Sequence, residues 1–334
     1  MLQLNKYINN LEFTFPEVHE DASLEVSFIK TLRIPDDNES YPLPAGLGSF
    51  DLHHVDDFLD KLPVTWNDRG GVMFPMYQSE AMWIKFNAPN DYPFAVKIAS
   101  GKINVITGNP WENELSNEPQ DYLIAPDQKW IDGFCVEEGF IRQFVATKLG
   151  EGFSVEEQIT GKADNGGIQI IAYPMKKEIY EKIQAEKEAS IIRNHETMSE
   201  ISFCMTSECR MDSNENYEMG LGQGGLMQQE LYEDEYGFDA WDNKNYSRAF
   251  VHILNSKQWK KVTNEEPHSR PITREDYIAN HIPWFEYYSD GNKPLDGSKQ
   301  LNQLKTLETL MKKKSSNKKK ADIQNVHILN SIKK

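Results

Sequence analysis

The stretch Phe94–Thr107, FAVKIASGKINVIT, decides the fold class. Phe94–Ala99 and Lys102–Thr107 are apolar runs on either side of Ser100-Gly101, close to the minimal two-residue hairpin loop, in which glycine supplies positive φ. Working downstream, Ile131–Val136 and Phe140–Thr147 form another hairpin candidate around Glu137-Glu138-Gly139. Gly166-Gly167 then launches Ile168–Tyr173, whose continuous β-branched core IQIIAY suits a buried strand. Upstream, Val72–Tyr77 and Met82–Phe86 flank Gln78-Ser79-Glu80 and read as a further hairpin, with Pro75 demoting its first strand to an edge or bulge. No long helices intervene, so these strands build an antiparallel meander and not a doubly wound parallel sheet. The expected class is α+β and β-rich: an antiparallel meandering sheet with a few packed helices.

Outside this block the signals are mixed. Phe28–Ile34 is a short apolar run ending at Pro35, and Ser40–Phe50, with two prolines and two glycines, is a loop or extended edge. Val55, Phe58, Leu59 and Leu62 recur at helical spacing and predict a short helix over Asp51–Leu62, stopped by Pro63. Lys176–Ser199 lacks Gly and Pro, and its apolar positions Ile179, Ile183 and Ile191 are so sparse that the helix is mostly solvated. Ser202–Met205, Leu226–Tyr232 and Arg248–Leu254 read as strands, Ser256 as the N-cap of a helix through Val262, and Thr273 with Asp276 as a capping box. Leu301, Leu304, Leu307 and Leu310 predict a C-terminal amphipathic helix. The expected organisation is a β-rich domain over 1–175, a helical connector over 176–199, a smaller α+β portion packed on the first over 200–310, and a basic, disordered tail over 311–334. No repeat of 20 to 50 residues is present.

Charge narrows the function classes. The formal net charge is −16, yet residues 311–334 carry eight lysines against one acid, Asp322, which leaves −23 on the other 310 residues. So acidic a body repels phosphate backbones, which excludes nucleic acid as a partner except through the Lys312–Lys320 tail. That tail is a solvated end, a contact for an acidic partner or, in a eukaryote, a nuclear address. No window has the run of about 18 apolar residues that crosses a bilayer, and the first residues do not follow the layout of a secretory signal. Cys135, Cys204 and Cys209 are too few for a disulfide scaffold and are not spaced as a zinc site. A reducing, cytoplasmic setting is therefore expected.

Four constellations could carry chemistry. In DLHHVDDFLD, 51–60, His54 and Asp57 stand three apart and could act as base and orienter; the plainer account is that aspartates in a first turn stabilise the helix N-terminus. Gly220-Leu-Gly222-Gln-Gly224-Gly225 satisfies G-x-G-x-x-G but has no apolar strand before it, so a flexible loop, acting as a lid over a cavity, fits better than a dinucleotide site. Glu230, Glu233, Asp234, Glu235, Asp239 and Asp242 alternate with Tyr232, Tyr236, Phe238 and Trp241, a pattern suited to recognising a basic partner or to a solvated loop with anchors. This stretch and Asp212-x-Asn214-x-Asn216 do not complete a calcium loop. Cys135 is read as buried and inert, whereas Arg142, inside the apolar FIRQFVA, must pair with an acid, face water or face a ligand.

The stretches YPLPAGLGSF, MYQSEAMWIKF, YPFAVKIASGKIN, DGFCVEEGFIRQFVATKLG, GGIQIIAYP, AFVHILNSKQWKKVT and IPWFEYYSDG resemble those of a widespread family of uncharacterised soluble proteins of bacteria and fungi. The resemblance spans Tyr41 to about Gly297 and implies no reaction, cofactor or catalytic residue; segments 176–190 and 311–334 depart from the family pattern. The function expected from the residues is a non-enzymatic binding or structural module that presents Tyr232, Tyr236, Trp241 and the glycines Gly222 and Gly224 to a protein partner, without metal or cofactor. The competing expectation is a hydrolase or lyase with His54 and Asp57 as its acid-base pair and Arg142 as anion clamp.

Overall fold

In the computed structural model, which describes residues 1–37, 39–191, 218–289 and 291–324, the chain turns at Gly101-Lys102, one residue later than expected, and only Ile103–Asn104 of the expected strand Lys102–Thr107 is strand. Ala99 pairs with Asn104 and Ser100 with Ile103, and Gly101 sits at φ +60. The strands that build the body are β1 (Ser23–Thr31), β2 (Val72–Met76), β3 (Ala81–Asn87), β4 (Phe94–Ser100), β5 (Gly133–Glu137), β6 (Phe140–Lys148), β7 (Ile168–Pro174), β8 (Glu218–Gln228) and β9 (Ser247–Asn255). The helices are α1 (Val64–Arg69), α2 (Val155–Thr160), α3 (Lys177–Ile191), α4 (Ser256–Thr263), α5 (Arg274–Ala279), α6 (Lys299–Asn302) and α7 (Leu307–Gln324). With 37% strand and 20% helix, the protein is a β-rich α+β fold built on a large antiparallel sheet.

Pairing runs from β1 to β3, from β3 to β6, from β6 to β8, and from β9 to both β8 and β7, with β4 beyond β7; all are antiparallel. The β5–β6 hairpin forms, but it turns at Glu138-Gly139 with Glu137 paired to Phe140, its first strand starts at Gly133 while Ile131 pairs with Ile84 of β3, and its register shifts between Cys135 and Glu137. All seven residues of β7 are buried, because β4 and β9 cover both of its edges and the core covers its faces. Strands β8 and β9 follow α3 in sequence yet pair with β6 and β7, so a single sheet carries residues from both sides of that helix. Phe50 stacks on Phe74 at 4.7 Å and Phe74 on Phe28 at 5.2 Å inside the main core. A second core of Val55, Leu62, Trp66, Met73, Leu254, Trp259 and Val262 holds α1 and α4 against β2 and β9.

Several expectations are corrected. Strands β2 and β3 exist but do not form a hairpin together: β2 lies parallel to β9, and β3 pairs with β1. Ser79, at φ +67, and the Glu80 carboxylate, which accepts from Tyr77 N at 2.8 Å, close a corner where the hairpin turn was expected. The segment Asp51–Leu62 opens with His53–His54 paired to Met73 and Val72, and only Val55–Phe58 is helical, as one 3₁₀ turn. Asn255, not Ser256, caps α4 by accepting from Lys257 N. The leucine-rich C-terminal pattern splits into α6 and α7, with Leu301 and Leu307 both buried. The long helix is described from Lys177 to Ile191; its expected end at Ser199, the strand at Ser202–Met205, Cys204, Cys209 and the Asp212 motif lie outside the described residues. The run Lys312–Lys320 lies within α7. No helix among the described residues is long and apolar enough to cross a membrane.

The glycine segment is also not a lid. Gly220, Gly222, Gly224 and Gly225 lie inside β8 and are buried, because neighbouring chain presses on them at van der Waals distance. A Cβ at Gly225 would stand 2.3 Å from Pro35 O, at Gly224 2.5 Å from Val145 Cγ2, and at Gly222 2.9 Å from Phe153 O. Gly225→Ala is therefore expected to lower stability by about 1–3 kcal/mol, read as an earlier midpoint in urea unfolding; a loop glycine would tolerate the change.

Candidate functional site

Three segments meet at one side of the sheet. The first follows β4: the Asn104 side chain accepts from Ile106 N and Thr107 N, both at 2.9 Å, and donates to Asp121 O at 2.7 Å, which gathers the long loop into a fixed arch. Beneath it the buried Lys97 ammonium meets Asp121 at 2.6 Å. The second segment is 232–238. Gln120 accepts from Asp234 N at 2.8 Å and donates to Tyr122 O and Tyr232 O, joining the two segments. The third, 295–300, is strapped on by Ser298, whose hydroxyl donates to Thr107 O at 2.6 Å while accepting from Leu301 N to cap α6. Gly297 is required here, since a Cβ would stand 2.1 Å from Glu137 Cα.

Between these segments lies a cleft of about 810 Å³. Glu118, Glu233, Asp234 and Asp296 line it together with Tyr122, Phe238 and Leu295, and Lys299 is the one cation among its described lining residues. Asp234 organises the wall. Its Oδ2 accepts from the Tyr122 hydroxyl and from Trp241 Nε1, each at 2.7 Å, and its Oδ1 from Tyr236 N and Gly237 N at 2.9 and 3.2 Å. With all these donors engaged, Asp234 is a fixed negative post, while Glu118 and Asp296 stand exposed at the mouth. Glu233 pairs with Lys293.

The acidic and aromatic stretch read from the sequence thus reaches the cleft, but its members divide. Trp241 is fully buried behind Asp234, and Tyr236 donates to Asp127 at 2.9 Å. Tyr232, Tyr236, Glu233 and Glu235 line a small adjoining recess. Burial acts to raise the Asp242 carboxyl, but hydrogen bonds from Asn245 and from Lys244 N within its own turn outweigh it and hold the group below the ordinary range. Gly222 and Gly224 lie in β8 and not among the cleft's lining residues.

The remaining candidates go to separate neighbourhoods. Asp57 pairs with Lys6 at 3.2 Å on the surface, and His53 with Glu265 at 3.2 Å, while His54 is half-buried opposite Val72. Arg142 meets Asp36 at 3.4 Å and donates to Gly224 O at 3.3 Å, so an acid partner and a strand carbonyl account for it. Burial, with Asp296 adding repulsion, pushes the Cys135 thiol up to about 12, which keeps it unreactive as a thiol.

Sequence reading passed over three features: the meeting of the Glu118 and Asp296 loops at the cleft, the buried Glu80–His268 contact and the fully buried Asp132. Each joins residues distant in the chain, and only Asp132, an acid flanked by Ile131 and Gly133-Phe134, carries a local signal. The described residues hold no group of three His, Cys, Asp or Glu side chains placed for a metal. No family model matches this chain, and neither does any curated protein or solved structure.

Proposed function

We propose that this protein is a non-enzymatic binding module whose acidic, aromatic cleft takes a basic segment of a protein partner. The observation that carries this reading is the cleft itself: four carboxylates converge with apolar and aromatic side chains from three segments, opposed among the described lining residues by the single cation Lys299. Complementary charge steers association and selects against acidic partners. The wall formed by Tyr122, Asp234 and Trp241 is already hydrogen-bonded, so little ordering entropy is lost on binding. The acidity of the body outside the C-terminal lysines points the same way.

The test uses the full chain and two fluorescein-labelled octapeptides, one alternating Gly with Lys and one alternating Gly with Glu. Anisotropy is expected to show binding of the lysine peptide alone, weakening as salt rises through the Debye regime. The double variant Glu118→Gln, Asp296→Asn, both at exposed positions, is expected to weaken it by about tenfold. Equal affinity for the two peptides, or indifference to the double variant, overturns the assignment.

A further inference from the structure

Helix α7 changes character along its length. Its first turns are an anchor: Leu307 is buried with Ala81, Val145 and Phe153, and Leu310 and Met311 pack against the same cluster. From Lys312 to Lys320 the helix reads KKKSSNKKK, six lysines in nine residues with no apolar residue among them, and no acid stands between Glu308 and Asp322. Lys312, Lys313 and Lys314 are all exposed. Lys312 pairs with Glu308 at 2.8 Å and Lys314 with Glu151 at 3.1 Å, but exposed pairs of this kind hold weakly and give way to a stronger anion. The Ser315 and Ser316 hydroxyls donate back to Lys312 O and Lys313 O, at 2.8 and 2.9 Å, so they stay close to the helix surface after the first lysine triplet.

We propose that α7 binds the phosphate backbone of double-stranded DNA, lying in the major groove without reading sequence. At about 1.5 Å of rise per residue the six lysines occupy about 12 Å of axis, one cation per about 2 Å, against one phosphate charge per about 1.7 Å of duplex. At about 100° per residue their positions leave no arc of the helix wider than about 100° without a lysine. That distribution suits a groove walled by phosphates on both sides, which admits a helix in DNA and is too narrow in RNA. A membrane surface calls for an apolar face opposite the charged one, and KKKSSNKKK has none. An acidic protein surface would meet one side of the helix and leave the other lysines unused. The apolar anchor fixes where the cations stand on the body, so less freedom is lost on binding than a loose tail would lose. The −23 carried outside residues 311–334 repels the duplex and confines contact to this helix.

The experiment titrates the full chain onto a fluorescein-labelled DNA duplex of mixed sequence, about two helical turns long, and follows anisotropy across a potassium chloride series. The logarithm of affinity is expected to fall linearly with the logarithm of salt, with a slope of about −5 for six neutralised phosphates. The triple variant Lys312→Gln, Lys313→Gln, Lys314→Gln, and the matching triple at Lys318, Lys319 and Lys320, should each reduce the slope to about −3 and weaken low-salt binding at least about tenfold. Glutamine forms helix as well as lysine does, so α7 persists in both. The Glu118→Gln, Asp296→Asn variant is expected not to weaken duplex binding, so this proposal and the cleft reading fail separately. No binding at low salt, or unchanged binding by both triples, overturns the proposal. Binding to phosphatidylserine vesicles with none to the duplex assigns α7 to a membrane surface, and binding of the Gly-Glu octapeptide as tight as that of the duplex assigns it to an acidic protein. Either result overturns the DNA assignment.

Discussion

Replacing His268 by alanine is expected to cost about 3–5 kcal/mol of folding stability, because the change strands a carboxylate in the core. His268 Nε2 and Glu80 Oε1 are 2.7 Å apart, with side chains only 3% and 2% exposed. The imidazole packs edge-on against Phe50 and Tyr77 at 5.1 and 5.3 Å, and the Tyr77 hydroxyl donates to His268 O at 3.0 Å. This contact fastens the irregular segment after α4 onto the corner between β2 and β3. Equilibrium urea unfolding of His268→Ala measures the loss, and the double variant with Glu80→Gln should recover part of it by removing the stranded charge. A loss below about 1 kcal/mol, the level of an exposed pair, would sink the account.

The second large effect is one of pH. Asp132 is fully buried, and desolvation pushes its carboxyl to about 8, although Gln229 donates to Oδ2 at 3.0 Å. In the unfolded chain the same group titrates near 3.8. A raised acid holds its proton in the folded state, so its contribution is complete below about 4 and is lost as pH climbs towards 8. Within that window the loss approaches about 1.4 kcal/mol per pH unit. A carboxamide in its place keeps an acceptor for Gln229 and has nothing to ionise. Asp132→Asn is therefore expected to gain on the native protein steadily from pH 4 to 8, read as diverging melting temperatures. Glu218, pushed by burial to about 7, adds a slope of the same sign. His252, stacked on Trp66 and pushed by burial down to about 4, acts oppositely below about 6.5 in both proteins, so it cancels in the comparison. Parallel melting curves for the two proteins would refute the assignment.

The same contrast between local and long-range causes separates what was legible in the sequence from what was not. The hairpins that turn at Gly101 and Gly139, the buried IQIIAY strand and the Thr273–Asp276 capping box depend on residues within a few positions of one another, and each forms, the first turn one residue later than read. The α2 box, Ser154 with Glu157, was equally readable and was passed over, as was the hairpin Leu2–Asn5 with Asn10–Thr14. The glycines of β8 misled because composition alone makes four glycines in six residues look mobile. Their reason for being glycine lies far upstream in Phe153, Val145 and Pro35, whose atoms occupy the volume a Cβ would need.

Alternation, turn chemistry and charge therefore determined the class of this protein, its main hairpins and the acidity of the stretch that walls the cleft, because those properties are set by neighbours along the chain. The tertiary structure alone decided that β2 joins β9, that Glu118 and Asp296 line one cleft, and that His268 meets Glu80 in the core. Those outcomes depend on which distant surfaces exclude water together, and a carboxylate or an amide acquires its chemistry from that enclosure rather than from its flanking residues.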